Sequence, residues 1–163
     1  MSEYFKNVPK VEYEGPRSRN PLAFKYYDKN RIVAGKTMGE HLKFAMAWWH
    51  TLCANGTDMF GVGTMDKSFG TYSEMDLAKA KVEAGFEFMD KLGIDYFCFH
   101  DRDMAPEGRD IDESNRNLEE ISDLVLAKQK ETGKKLLWGT ANLFGNPRYM
   151  HGAASSPNAD AFA

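Results

Sequence analysis

A short apolar segment that ends in charged residues constrains the fold of this chain more than any other feature. Residues 96–99 read Tyr-Phe-Cys-Phe, and the next four residues are His100, Asp101, Arg102 and Asp103. Folds built on parallel strands carry ionisable functional groups at the carboxyl ends of buried strands. The segment therefore predicts a buried parallel strand with a functional site at its carboxyl end.

An amphipathic helix is predicted on each side of this strand. The first helix has an N-cap residue at Ser73 and a terminating glycine at Gly93, which are residue types that favour helix ends. The second begins around Glu113 and Ser114 and ends at Gly133. Apolar residues recur at helical spacing in both: Ala78, Val82, Phe86, Met89 and Leu92 in the first, and Leu118, Ile121, Leu124 and Val125 in the second.

Two further strands complete an alternating pattern. Residues 136–141 follow the second helix, and residues 44–50 are interpreted as the first strand, although their length also permits a buried helical turn. Alternating strands and helices predict parallel βα units with right-handed crossovers. A further helix is expected to start near Ser155 and Ser156, with Asp160 in its first turn.

The first 35 residues are predicted to form an irregular arm, and residues 36–163 to form the βα region. The arm contains three prolines and no clear period, yet it is too rich in aromatic residues for a disordered tail. It packs either on its own subunit or on a neighbouring one, and the sequence leaves both open. Thr37 and Glu40 have the spacing of a capping box, which predicts a short helix.

Composition excludes several classes of function. The net charge of −3 gives no basic field for nucleic acid, and no apolar run approaches the length of a membrane span. The N-terminus lacks the apolar region of a signal peptide. Two cysteines without zinc spacing favour a reducing compartment, so a cytoplasmic protein is expected. Gly61 and Gly63 lack the third glycine of a nucleotide-binding loop.

His100 is the first candidate for chemistry. A carboxylate beside it, from Asp103 or the competing Asp101, would fix its tautomer and leave the other ring nitrogen to move a proton. Arg102 offers the alternative of a purely structural ion-pair network. His100, Asp101 and Asp103 lie too close in sequence for all three to chelate one metal without strain, so no metal site is predicted in this chain.

Aromatic residues near predicted strand ends and loops form a second candidate feature. Each one alone is readily explained by core packing, but together they could form an apolar wall around a sugar, with the Thr140 hydroxyl beside it. They are Trp48, Trp49, Phe60, Trp138 and Phe144. Motifs for serine or cysteine nucleophiles are absent from the sequence.

Several long motifs, in order, resemble those of xylose isomerase, in its longer class with an N-terminal extension. The strongest are 99–103 (Phe-His-Asp-Arg-Asp), 137–144 (Leu-Trp-Gly-Thr-Ala-Asn-Leu-Phe) and 146–154 (Asn-Pro-Arg-Tyr-Met-His-Gly-Ala-Ala). Weaker matches lie at 13–16, 20–24, 35–38, 49–51 and 58–61. Met59 departs from the proline common in the family, which does not disturb the assignment.

The resemblance implies an aldose–ketose isomerase that converts D-xylose to D-xylulose and also glucose to fructose. It implies a TIM (β/α)8 barrel, of which this chain would hold about the first three βα units. It further implies a cytoplasmic homotetramer with two divalent cations, usually Mg²⁺ and otherwise Mn²⁺ or Co²⁺, that assist a hydride shift after ring opening.

Residue roles follow from the same resemblance. His100 matches the histidine that assists opening of the sugar ring, and Asp103 matches the acid that orients it. Four positions match substrate contacts, the last of them toward a neighbouring subunit: Trp49, Phe144, Thr140 and Phe60. The family's metal ligands and its substrate-polarising lysine match no residue of this chain.

The sequence is therefore expected to be an N-terminal portion of the enzyme, cut within a helix at 160–163, and inactive alone. One rival interpretation is a non-catalytic module that persists by associating with its missing half. Another is a different sugar-phosphate barrel enzyme, which the motif match disfavours.

Overall fold

A computed structural model describes residues 3–162, and residues 1, 2 and 163 lie outside the described part. The predicted helix at the end of the chain is therefore observed only up to Phe162. The strands are β1 (Ile32–Val33), β2 (Lys36–Thr37), β3 (Ala45–Ala47), β4 (Tyr96–His100) and β5 (Lys135–Thr140). The helices are α1 (Met38–His41), α2 (Glu74–Leu92), α3 (Asp101–Met104), α4 (Ile111–Thr132) and α5 (Ala159–Phe162), with a π-helical turn at Trp49–Cys53 and a 3-10 turn at Pro147–Tyr149.

Three strands form one parallel sheet in the order β3-β4-β5. The predicted alternation of strands and helices is confirmed, and the described chain has a mixed α/β fold. Both crossovers contain a long helix, α2 between β3 and β4 and α4 between β4 and β5. Such helices are what parallel neighbours require, because their connection must return to the same end of the sheet.

The hydrophobic core lies between the sheet and these two helices. Phe97 on β4 is fully buried and packs against Trp48 and Phe86 with ring centroids 5.8 and 5.5 Å apart. The predicted apolar stripes supply most of the remaining core: Ala78, Val82, Phe86 and Met89 from α2, and Ile121 and Val125 from α4. The opposite face of the sheet, which carries His100, is left open to the site described below.

Helix ends agree closely with the local chemistry of the sequence. Ser73 Oγ accepts a hydrogen bond from the Asp76 amide at 3.0 Å and so caps α2. Gly93 and Gly133 adopt left-handed backbone conformations, with φ of 66° and 72°, that end α2 and α4. The predicted capping box of Thr37 and Glu40 is present at α1.

The structure corrects the bounds of four predicted elements. The first strand covers only Ala45–Ala47 of the predicted 44–50, because the chain then enters the π-helical turn that buries Leu52. Helix α4 begins two residues early, since Asp110 provides its cap. Strand β5 spans Lys135–Thr140, one residue earlier at each end than the predicted 136–141. Helix α5 starts at Ala159, later than expected, where Asn158 Oδ1 accepts from the Asp160 amide.

The N-terminal segment is mostly irregular and docks on α2. The Glu87 carboxylate accepts hydrogen bonds from the backbone amides of Tyr4 (2.7 Å) and Phe5 (3.0 Å). Strands β1 and β2 pair antiparallel across the expected boundary at residue 35. Among residues 3–162, no helix combines the length and apolar character needed to cross a membrane.

Candidate functional site

His100 lies at the carboxyl end of β4 within a group of aromatic rings. Its ring centroid is 4.8 Å from that of Trp49, 5.7 Å from Trp138 and 5.4 Å from Phe144, the last two edge to face. Trp49 and Trp138 also contact each other at 5.5 Å. We call these four residues the His100 cluster. They come from the π-helical turn, β4, β5 and the loop after β5, so only the fold brings them together.

Asp103 is the acid that engages His100. Its Oδ2 lies 2.9 Å from His100 Nδ1 and also accepts the His100 backbone amide at 2.8 Å. The short helix α3 makes this possible, because it turns residue i+3 back over residue i. A carboxylate only accepts hydrogen bonds, so in the neutral imidazole Nδ1 carries the hydrogen and Nε2 carries the lone pair. The arrangement can therefore take up and return a proton at Nε2.

Asp101, the competing candidate, faces a different set of partners. Its Oδ1 accepts the backbone amides of Arg102 (2.8 Å) and Asn142 (2.7 Å). Its Oδ2 lies 3.8 Å from Arg102 Nε. Asp101 thus joins the loop after β4 to the loop after β5, while Asp103 alone orients the histidine.

A bulge in β5 determines which side chains accompany His100. Phe97 pairs with Leu136 and Cys98 with Trp138, so Leu137 is the extra residue. Side chains alternate between faces along a strand, and a shift of one residue exchanges the faces. The bulge therefore places Trp138 and Thr140 on the face of His100.

Gly139 supports this assignment of the two faces. It pairs with Phe99 on the helix side of the sheet. A Cβ at Gly139 would lie 3.1 Å from the Phe99 ring.

Thr140 and Phe60 have different relations to the cluster. Thr140 is the register partner of His100 and is exposed, so its hydroxyl can reach a ligand at the strand ends. Phe60 lies in the loop between the π-helical turn and α2 and is 91% exposed. None of the ring contacts found among residues 3–162 joins Phe60 to the cluster.

Cys53 contacts the backbone of Asp103, the residue that pairs with His100. Its Sγ lies 3.6 Å from the carbonyl oxygen of Asp103 and 3.4 Å from Lys81 Nζ. Burial raises the pKa of the Cys53 thiol, and the opposing effect of the Lys81 ammonium is smaller. The thiol therefore keeps its proton at neutral pH and donates a hydrogen bond to the carbonyl oxygen of Asp103.

His100 and the two acids that follow it do not provide a metal-binding set. His100 Nδ1 and Asp103 Oδ2 are engaged with each other, and Asp101 Oδ1 is engaged with two amides. Within residues 3–162, no three or more histidine, cysteine or acidic side chains converge as metal ligands would. The divalent cations implied by the resemblance thus find no ligand set in the described chain.

Three features of the site were missed by reasoning from the sequence. They are the Asp101–Asn142 link, the Cys53 contact and the bulge at Leu137. The first two join residues 41 and 50 positions apart, and local patterns carry no signal for such pairs. The residue types of the strand do not indicate the bulge.

Comparison with known proteins agrees with the resemblance. The chain is 58% identical over 160 residues to the xylose isomerase of Halalkalibacterium halodurans, covering 98% of this chain and 36% of that protein. It is 57% identical over 162 residues to the xylose isomerase of Caldanaerobacter subterraneus subsp. yonseiensis (99% and 37%) and 56% identical over 160 residues to that of Geobacillus kaustophilus (98% and 36%). No family model matches the chain. Along nearly its whole length the chain is therefore similar to xylose isomerases, and it spans a little more than a third of the length of these relatives.

Proposed function

We propose that this chain supplies the ring-opening part of a xylose isomerase active site. The observation that carries the proposal is the 2.9 Å contact between His100 Nδ1 and Asp103 Oδ2, set among three aromatic rings at the end of a parallel strand. The relatives named above, whose shared name specifies xylose isomerisation, provide the substrate class.

Opening the sugar ring requires one proton to move between two oxygens. The hydroxyl on the anomeric carbon loses its proton, the bond from that carbon to the ring oxygen breaks, and the ring oxygen gains a proton. The product is an open-chain aldehyde. His100 Nε2 is the proposed carrier, because Asp103 keeps the hydrogen on Nδ1 and leaves Nε2 available to accept and return the proton.

Trp49 and Phe144 are proposed to form the apolar walls of the sugar site. Their rings flank His100 at 4.8 and 5.4 Å, so a sugar held against them lies within reach of the imidazole. The apolar walls would also exclude water from the reacting carbon. Thr140 is proposed as a polar contact to a sugar hydroxyl, since it is exposed beside His100 in the sheet register.

The proposal assigns no metal ligand to this chain. The complete enzyme is proposed to use two divalent cations, Mg²⁺ with Mn²⁺ or Co²⁺ as alternatives, for the hydride shift that follows ring opening. Because residues 3–162 contain no suitable ligand group, those ligands are assigned to other parts of the enzyme.

The complete enzyme is further proposed to be a (β/α)8 barrel that forms a cytoplasmic homotetramer. Strands β3, β4 and β5 would be three successive strands of that barrel. Phe60 is proposed to reach a neighbouring subunit's site, which accords with the exposure of Met59, Phe60 and Val62 at 86%, 91% and 84%. The two free thiols suit a reducing compartment.

The test uses a carrier enzyme, defined as the Halalkalibacterium halodurans xylose isomerase with its matching stretch replaced by this sequence. We expect the carrier enzyme to isomerise D-xylose with Mg²⁺ or Mn²⁺, and the 163-residue chain alone to show no turnover. His100→Ala is expected to lower kcat/KM for D-xylose about 10- to 100-fold, near the lower end of what a positioned acid–base group supplies, because the ring also opens slowly in water.

Two comparisons make this test specific. His41→Gln changes an exposed histidine on α1 whose Nε2 lies 2.8 Å from the Val33 carbonyl oxygen, and it should leave turnover unchanged. D-glyceraldehyde is too short to close a ring, so any turnover of it should survive His100→Ala. An inactive carrier enzyme, or full activity in His100→Ala, contradicts the proposal.

A second candidate is a module that functions by association alone. The exposure of apolar side chains on the edge strand β5 favours it, with Leu137 at 57% and Trp138 at 40%. It predicts concentration-dependent association of the 163-residue chain without any metal requirement. Sedimentation at several concentrations distinguishes it from a self-contained enzyme.

A further inference from the structure

We propose that Asp101 is a positioning residue that fixes Phe144 against His100 by holding the backbone amide of Asn142. This inference deepens the proposed function and rests on it, because Phe144 matters as a wall of the sugar site. The single atom Asp101 Oδ1 accepts two amides, its neighbour Arg102 at 2.8 Å and Asn142 at 2.7 Å. We call the second bond the loop clamp.

The loop clamp lies where the sheet stops supporting the chain. Pairing of β5 with β4 ends at Thr140, opposite His100. After Thr140, the next described hydrogen bond to the segment that follows β4 runs from the Asn142 amide to Asp101 Oδ1. Phe144 follows two residues later and is 79% exposed, so little burial holds its ring in place.

A local turn carries the effect of the clamp to Phe144. Asn142 Oδ1 accepts the amide of Gly145 at 3.0 Å, which closes a turn around Leu143 and Phe144. One end of this turn is therefore fixed by its own side chain and the other by Asp101. The Phe144 ring then meets His100 edge to face at 5.4 Å with an interplanar angle of 89°.

Two substitutions can separate the negative charge of Asp101 from its role as a hydrogen-bond acceptor. Both amides reach the same oxygen, so Asp101→Asn keeps an acceptor in that position while removing the charge. Asp101→Ala removes both. A residue that acted on His100 through its charge would be damaged equally by the two substitutions, whereas a positioning residue is rescued by asparagine.

The experiment combines amide exchange with kinetics in the carrier enzyme. Asp101→Ala should speed hydrogen exchange at the Asn142 amide about tenfold or more, measured by mass spectrometry with fragmentation that resolves single amides. It should lower kcat/KM for D-xylose about tenfold, equivalent to about 1.4 kcal/mol, mainly through KM. Asp101→Asn should stay within about threefold of the unmodified enzyme in both measurements.

A double-mutant cycle with Phe144→Ala tests the route of the effect. If Asp101 acts through Phe144, then Asp101→Ala adds little to Phe144→Ala, so the two effects are strongly non-additive. The matched control is Asp123→Ala, an exposed acid on α4, which should change neither readout.

Each outcome distinguishes this inference from the proposed function. An inactive unmodified carrier enzyme contradicts the proposed function, while exchange at Asn142 still tests the clamp. Unchanged exchange in Asp101→Ala overturns the clamp. Altered exchange with unchanged kcat/KM, additive effects with Phe144→Ala, or equal losses in Asp101→Ala and Asp101→Asn overturn the positioning role and leave the proposed function standing.

Discussion

Gly85 offers a sharp test of the packing beneath the site. A Cβ at this position of α2 would lie 2.9 Å from Leu52 Cδ1 and 2.9 Å from Trp48 Cη2, whereas non-bonded carbons prefer about 3.5–4.0 Å. Trp48 and Leu52 are 0% and 1% exposed, so neither can move aside into solvent. Gly85→Ala is therefore predicted to destabilise the fold, although alanine is the better helix former.

The magnitude follows from two opposing contributions. Inserting a methyl group into a filled core costs typically 1–3 kcal/mol, that is, about 2 kcal/mol. Replacing glycine by alanine inside a helix returns about 1 kcal/mol. We expect a net loss of about 1 kcal/mol in the free energy of unfolding. The displaced Trp48 should also disturb its neighbour Trp49, and with it the His100 cluster.

Urea unfolding of the 163-residue chain, followed by tryptophan fluorescence and circular dichroism, measures this effect. Ala127→Gly, at an exposed position of α4, is the control that gives the helix-propensity term alone. Trp48→Phe has a shorter ring, so it should relieve part of the penalty of Gly85→Ala and give a favourable coupling in the double mutant. A Gly85→Ala chain about 1 kcal/mol more stable than the original, or one showing no coupling to Trp48→Phe, would refute the reasoning.

Two further predictions concern helix α2, namely its contact with the N-terminal segment and its N-cap. Burial by itself would raise the pKa of Glu87, but the hydrogen bonds from Tyr4, Phe5 and Lys91 outweigh it and lower the pKa below its ordinary 4.5. A lowered folded-state pKa means that this stabilisation is present above about pH 4.5 and is lost as the pH falls through the folded-state value. Glu87→Gln should therefore flatten the acid side of a pH–stability curve. The control Glu119→Gln, at an exposed position, should leave that curve unchanged. Ser73→Ala removes the N-cap of α2 and should cost about 1 kcal/mol in urea unfolding, whereas Ser73→Thr keeps an acceptor oxygen and should recover most of it; equal losses in both would contradict the capping role.

The long helices could be predicted from the sequence because their ends are specified locally. Ser73, Gly93 and Gly133 act through their own backbone or the adjacent turn, and all three lie at the expected ends. The first strand was overextended because a run of seven mostly apolar residues suits either a strand or a buried helical turn. Trp48 is buried in the core, and the chain bends there to place it against Gly85.

The candidate site was only partly predictable for a related reason. His100 with an acid beside it could be recognised, but Asp101 and Asp103 both lie within three residues of it. Their roles separate only once α3 folds Asp103 back onto the imidazole and the loop after β5 supplies the Asn142 amide to Asp101. The role of Asp101 depends on a segment about 40 residues away, and local sequence patterns cannot predict such a contact.

The bulge at Leu137 makes this site depend on the number of residues as well as on their kind. If β5 continued its pairing past Phe97 and Leu136 without the bulge, the strand would be just as apolar, yet Leu137 and Gly139 would lie on the His100 face and Trp138 would turn toward the helices. A slip of one residue in the pairing of this strand should therefore be tolerated far less than a substitution that keeps the pairing. Anyone grafting a new loop beyond Thr140, or aligning a distant sequence through this strand, must keep Trp138 opposite Cys98 to preserve the site.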